Sequence, residues 1–92
     1  MWYLYILECG DKSLYTGIAK NIDQRVKAHN SGQGSAYTRS HLPVKCVYKE
    51  RHQTYPKALK REAQIKSWSR EKKLALINRN FTGLKRLSKS RD

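Results

Sequence analysis

Trp2-Tyr3-Leu4-Tyr5-Ile6-Leu7 is an unbroken apolar and aromatic run, and predicts a strand that buries both faces. Cys9-Gly10-Asp11-Lys12 predicts a turn, and Ser13 to Ile18 a second strand, so the first eighteen residues read as a β-hairpin. Strand alternation puts Tyr3, Tyr5 and Leu7 on one face and Trp2, Leu4 and Ile6 on the other. Whether Tyr15 shares the Tyr5 face depends on the hairpin register, which the sequence leaves open.

Asn21 then offers an N-cap, with Gln24 three residues on to complete a capping box. Ile22, Arg25, Val26 and His29 follow at helical spacing on one face, and Gly32 is placed to end the helix. Ser31 to Arg39 is small and polar and predicts a flexible loop, closed by Pro43. Val44 to Tyr48 predicts a third strand. From Tyr55 the period becomes 3.6. Tyr55, Ala58, Leu59, Ala63 and Ile65 form the expected inward stripe of a helix ending near Ser67 to Ser69. Arg70 to Asn78 predicts another helix with Leu74 and Ile77 inward, and a short helix is expected around Leu84 and Leu87. The fold class expected is α+β, a single domain over residues 1–87 with a basic tail over 88–92 that frays.

Composition narrows the function. The chain has 92 residues, enough for one core and too few for two. Twenty Lys and Arg against seven Asp and Glu give +13, which points to a polyanionic partner, nucleic acid before a membrane surface. The charge is uneven: residues 1–38 carry +1 and residues 39–92 carry +12. The back half is therefore expected to grip phosphates while the front does something else. The apolar run from Trp2 to Leu7 spans six residues, far short of the ~20 that cross a bilayer. No basic segment followed by an apolar stretch opens the chain, so a secretory leader is not expected and the location expected is cytoplasmic. Cys9 and Cys46 are not in a C-x-x-C and are expected to be reduced core residues.

Polar residues on apolar faces are where chemistry is sought. Glu62 lies on or beside the stripe of Leu59, Ala58 and Ile65. It reads either as an i,i+4 partner of Lys66, worth ~0.3–0.5 kcal/mol, or as a ligand for a hard divalent cation where phosphate oxygens arrive. Arg25 can clamp a phosphate bidentately, and His29 one turn on can move a proton near neutral pH. The alternative is that both sit at the stripe's edge and reach water. Tyr3, Tyr5 and Tyr15 are core filler unless a cation lowers a phenol from its ordinary pKa near 10. Tyr37, Arg39 and Lys45 border the flexible loop, where they either touch phosphates or are solvated. His41 and His52 are isolated and are given no role.

The order and spacing of Tyr3-Leu4-Tyr5, Tyr15-Thr16-Gly17, Arg25 and His29, followed by Ala58-Leu59-Lys60-Arg61-Glu62-Ala63, resemble the GIY-YIG nuclease superfamily. Tyr37-Thr38-Arg39-Ser40-His41-Leu42-Pro43-Val44 is similar to the small stand-alone bacterial members of the YhbQ/YazA type. The resemblance implies a small three-stranded antiparallel sheet flanked by helices, with the active site on one sheet face. It assigns catalysis to Tyr5, Tyr15, Arg25, His29 and Glu62. Tyr5 becomes the base, made more acidic by a cation or by His29, and Glu62 the ligand of Mg²⁺ or Mn²⁺. Substrate binding falls to Gly17, Lys20, Tyr37, Arg39, Lys66 and Asn80. Gly17 is the glycine that lets substrate approach, and Lys20 is the nearest substitute for a lysine where Ile18 stands. The activity implied is a metal-dependent endonuclease on nucleic acid, DNA before RNA, in repair or recombination. With no targeting domain in the chain, a protein partner is expected to add specificity. The alternative is a binding module that keeps the fold and turns over weakly or not at all. A membrane-surface protein is the least favoured reading, because the helix from Tyr55 would have to turn bulky apolar residues outward.

Overall fold

Trp2–Glu8 forms β1, the middle strand of a three-stranded antiparallel sheet of order β2-β1-β3, with β2 at Leu14–Ala19 and β3 at Lys45–His52. The computed structural model describes residues 1–80, so the expected helix around Leu84 and Leu87 and the tail over 88–92 lie outside the described residues. The central position explains the unbroken apolar run. Both faces of β1 are covered, and Leu4, Ile6 and Leu7 are completely buried. Each such side chain removed from water contributes about 1.5–3 kcal/mol.

The register settles the question the sequence left open. Tyr5 pairs with Gly17 and Leu7 with Tyr15, so Tyr15 shares the Tyr5 face. That face packs on α1, Ile22–Asn30, in a cluster of Tyr5, Leu7, Cys9, Ala19 and Val44 with Tyr15, Ile22 and Val26 against it. The Asn21 side chain caps α1 by accepting from the Gln24 N–H at 3.0 Å, and Gly32 at φ +86° follows its end. The opposite face packs Leu4 and Ile6 under Ile65 of α3, Tyr55–Lys66, and Leu76 of α4, Arg70–Ile77.

Four expectations need correction. The segment expected to be a flexible loop contains a helical turn, α2, Ala36–Arg39. The Ser35 hydroxyl caps it by accepting from the Thr38 N–H, and Thr38 is fully buried. On α3 only Ala58 and Ile65 of the expected stripe are buried, while Tyr55, Leu59 and Ala63 are exposed. The helix is rotated so that Arg61 and Glu62 join the inward row, at the 3–4 spacing that Ala58 and Ile65 share. On α4 the fully buried residues are Lys72, Ala75 and Leu76; Ile77 packs half-buried against the core as expected, Leu74 does not join it, and the Lys72 ammonium lies 4.4 Å from the Trp68 ring centre. Cys46 is exposed because β3 is an edge strand, while Cys9 is buried as expected.

The rotation of α3 has a visible cause. Glu50 on β3 accepts hydrogen bonds from the Tyr48 hydroxyl, from Arg61 Nε at 2.7 Å and from His52 Nε2 at 2.9 Å. Burial pushes the Glu50 carboxyl up, but these donors and the Arg61 charge hold it below its ordinary value. The same burial and the neighbouring carboxylate push the Tyr48 phenol up to about 12. Arg61 is thereby tied to the sheet, and Glu62, the next residue, is carried to the inner side of α3.

Candidate active site

Tyr5 is the centre of the site. It is 1% exposed, and its ring end fills the space opposite Gly17 on the neighbouring strand. A Cβ on Gly17 would lie 2.5 Å from the Tyr5 hydroxyl oxygen. The room that the resemblance assigns to an approaching substrate is thus taken up by the phenol itself.

The Tyr5 hydroxyl lies 3.1 Å from His29 Nε2, a buried contact between β1 and the last turn of α1. The other ring nitrogen, Nδ1, lies 2.7 Å from Thr38 Oγ1 on α2. Thr38 in turn donates to the Ser35 carbonyl at 3.1 Å. His29 is completely buried and so does not reach water at the edge of its stripe, whereas Arg25 is exposed. Burial, followed by the Arg25 charge, lowers the His29 pKa from its ordinary value near 6.5, so the ring is neutral at pH 7.

Burial raises the Tyr5 pKa, and the charges of Tyr15 and Glu62 act in the same direction. Hydrogen bonding and charge from Arg25 pull the other way without prevailing. The expectation that Tyr5 is made more acidic therefore does not hold for the free protein, in which the phenol is a protonated donor. The charges of Tyr15, Arg25 and Glu62 are all felt at Tyr5, with that of Glu62 the weakest of the three. Tyr15 packs edge-on to His29, with ring centres 5.4 Å apart.

Glu62 is partly buried, and its carboxylate lies 3.3 Å from the Lys66 ammonium one turn along α3. Lys66 is half exposed, so the pair is weak and can open. Among the described residues no group of three or more His, Cys, Asp or Glu could hold a metal ion. One accessible carboxylate is nonetheless a donor set that suits Mg²⁺, which keeps several waters and binds through one or two carboxylates plus substrate phosphates.

The remaining candidates lie along the outer edge of β2 or away from it. A cleft of about 550 Å³ at the Ala19 end is lined by Lys20, Arg25 and Trp2, with the Lys20 ammonium 5.3 Å from the Trp2 ring centre. A second cleft, about 310 Å³, lies at the Leu14 end and is lined by Tyr15, Thr16, Tyr37, Lys66 and Lys73. Tyr37 is stacked between Tyr15 and His41, at ring-centre distances of 6.2 and 4.3 Å. Arg39 is exposed at the end of α2, and no hydrogen bond or ion pair joins its side chain to the group around Tyr5 among the described residues. Asn80 lies in the C-terminal cap of α4, its N–H bonded to the Ala75 carbonyl, next to Arg79, which lines a cleft against β3.

Thr38, Ser35 and Gly34 are the site residues that sequence reasoning missed. A Cβ on Gly34 would lie 2.0 Å from His29 Nδ1. The available signal was the Ser35 cap with Thr38 three residues on, hidden in a run of small polar residues.

The chain is similar in sequence and fold to known proteins. The family model described as the GIY-YIG catalytic domain matches residues 1–75. A UPF0213 protein of Staphylococcus saprophyticus is 54% identical over 76 residues, covering 83% of this chain and 93% of the relative. A UPF0213 protein of Staphylococcus aureus is 52% identical over 75 residues, with 82% and 92% covered. The solution structure of the UPF0213 protein BH0048 from Bacillus halodurans is 40% identical, with a TM-score of 0.55 and 85% and 84% of the two chains covered. That of EF2693 from E. faecalis is 34% identical, with a TM-score of 0.59 and 87% and 85% covered.

Proposed function

Since the chain belongs to the GIY-YIG family, we propose that it hydrolyses phosphodiester bonds in nucleic acid, with a divalent cation held by Glu62. The observation that carries this is the buried bond between the Tyr5 hydroxyl and His29 Nε2 at 3.1 Å, with Tyr15 packed edge-on to His29 and Arg25 one turn before it on α1; the Glu62 charge is also felt at Tyr5. A simple binding module gains nothing from a carboxylate among phosphate-binding cations, nor from a phenol aimed at an imidazole.

The step is an in-line displacement. The oxygen of water forms a bond to phosphorus while the bond from phosphorus to the leaving alkoxide breaks. The proton of the water passes to the Tyr5 oxygen as the Tyr5 proton passes to His29 Nε2. The leaving oxygen takes a proton from solvent. Arg25, exposed beside Tyr5, is free to clamp the phosphoryl oxygens, where negative charge builds. When bound, the cation supplies further neutralisation of that charge. Tyr15 positions the water or the phosphate. Lys20 at one end of β2, with Tyr37 and Lys66 at the other, holds the flanking strand, and Arg39 adds charge nearby. DNA is the substrate favoured, in repair or recombination, in the cytoplasm and with a protein partner adding specificity; Mg²⁺ is favoured over Mn²⁺. Among the described residues no helix is long and apolar enough to cross a membrane.

The test compares wild type with Tyr5→Phe and Arg25→Lys on plasmid, single-stranded DNA, branched DNA and RNA. Cutting should fall by ~10²–10⁴-fold in Tyr5→Phe, the range typical of a lost general base, with binding retained. Tight binding by all three proteins with no cutting under any divalent cation would instead establish the binding module.

A further inference from the structure

The geometry points to Thr38 as a positioning residue that locks His29 in the tautomer able to take the Tyr5 proton. This rests on the hydrolytic reading above. His29 sits between two hydroxyls, Tyr5 Oη at 3.1 Å from Nε2 and Thr38 Oγ1 at 2.7 Å from Nδ1. A neutral imidazole carries one proton, so one nitrogen donates and the other accepts. Two directions are open, and only one gives every buried proton an acceptor.

In the first, Tyr5 donates to Nε2, Nδ1–H donates to Thr38, and Thr38 donates to the Ser35 carbonyl at 3.1 Å. Every proton has an acceptor. In the second, Nε2–H donates to Tyr5 and Thr38 donates to Nδ1. The Ser35 carbonyl then keeps only the Arg39 N–H at 3.0 Å, and the Tyr5 proton must find another acceptor. Arg25, whose charge is felt at Tyr5, is a donor only. Among the described residues no other side chain lies within hydrogen-bond distance to accept from the Tyr5 hydroxyl, so before substrate and water enter its proton has only His29 Nε2. The first direction is selected by the Tyr5 proton, and Thr38 holds it, because its hydroxyl is placed to accept from Nδ1–H while donating to the Ser35 carbonyl.

The surroundings hold Thr38 in that role. Its N–H donates to the Ser35 hydroxyl at 3.2 Å, and that hydroxyl also lies 3.2 Å from Thr38 Oγ1. Thr38 is thus fixed by its own helical turn, and His29, Thr38 and Tyr5 are all essentially buried. Gly34 leaves the Nδ1 side open, since any Cβ there would lie 2.0 Å from Nδ1. α2 is accordingly a bracket for a histidine on α1 that faces a tyrosine on β1. Thr38 touches neither water nor phosphate in this scheme and acts only through His29.

The experiment pairs Thr38→Val, which keeps shape and loses the hydroxyl, with Thr38→Ser, which keeps the hydroxyl. Long-range proton–nitrogen NMR of the His29 ring reads the tautomer without requiring activity. Wild type and Thr38→Ser should show a protonated Nδ1 and a bare Nε2, and Thr38→Val should show a mixture or the reverse. Cleavage by Thr38→Val should fall on the order of 10²-fold, as for loss of general-base function, with Thr38→Ser restoring most of it. A wild-type ring protonated at Nε2, or a Thr38→Val ring unchanged from wild type, would overturn the assignment. If no protein cuts, the hydrolytic reading fails while the tautomer measurement still stands or falls by itself.

Discussion

Gly17 and Tyr5 face each other across β1 and β2, and the phenol occupies the space a Gly17 side chain would need, with the hydroxyl oxygen 2.5 Å from where a Cβ would stand. Neither partner can yield cheaply, because Tyr5 is packed in the core and Gly17 is buried in the ladder. Gly17→Ala should therefore destabilise the fold by about 1–3 kcal/mol, as overpacking does, and should displace the hydroxyl from His29. Urea unfolding measures the first effect. A midpoint equal to that of wild type would show that the ring moves aside freely.

His29 makes stability depend on pH. Its folded pKa is held below 6.5 by burial and the Arg25 charge, while the unfolded chain takes up the proton near 6.5. The unfolded state therefore binds more protons as pH falls below about 6.5, and stability present above that pH is lost as pH drops toward the folded pKa. Denaturation at pH 7.5 and at pH 5 should show a larger loss for wild type than for His29→Gln. Equal losses would remove His29 as the source.

Glu50 should matter to stability while lying outside the reacting group. Glu50→Ala leaves Tyr48, His52 and Arg61 without their shared acceptor, a loss of about 1–3 kcal/mol for partly buried polar groups. It should also loosen the hold on α3 and so lower cutting more than binding. Thermal melts and filter binding on the same preparation separate the two effects.

Binding should weaken steeply with salt, since the chain carries +13. Each phosphate neutralised contributes about −0.9 to the slope of log affinity against log salt. Lys20→Ala should weaken binding to all sequences alike and reduce that slope by roughly one. A slope that does not change would take Lys20 off the substrate path.

Much of this was legible in the chain itself. The apolar run of Trp2 to Leu7 marks a covered central strand, and Asn21 with Gly32 marks both ends of α1. Tyr5, Tyr15, Arg25, His29 and Glu62 were singled out from residue type and spacing. The pairing of Tyr5 with Gly17 was not legible, because register is a property of two strands and not of one. Thr38 was hidden because a four-residue helix in small polar sequence has no periodicity to display. The rotation of α3 is not legible for a related reason. Its small apolar residues cover two faces, and the choice between them is made by Glu50 holding Arg61 from another element.

The most direct measurement is cleavage by wild type and Glu62→Ala, side by side, with Mg²⁺, Mn²⁺ or EDTA. Hydrolysis through a Glu62-bound cation requires cutting by wild type with metal alone, and none by the variant. Glu62→Ala should bind nucleic acid at least as tightly as wild type, since it removes a negative charge. Its stability should change by no more than ~0.5 kcal/mol, the worth of its pair with Lys66. Cutting that persists in Glu62→Ala, or in EDTA, is incompatible with this site.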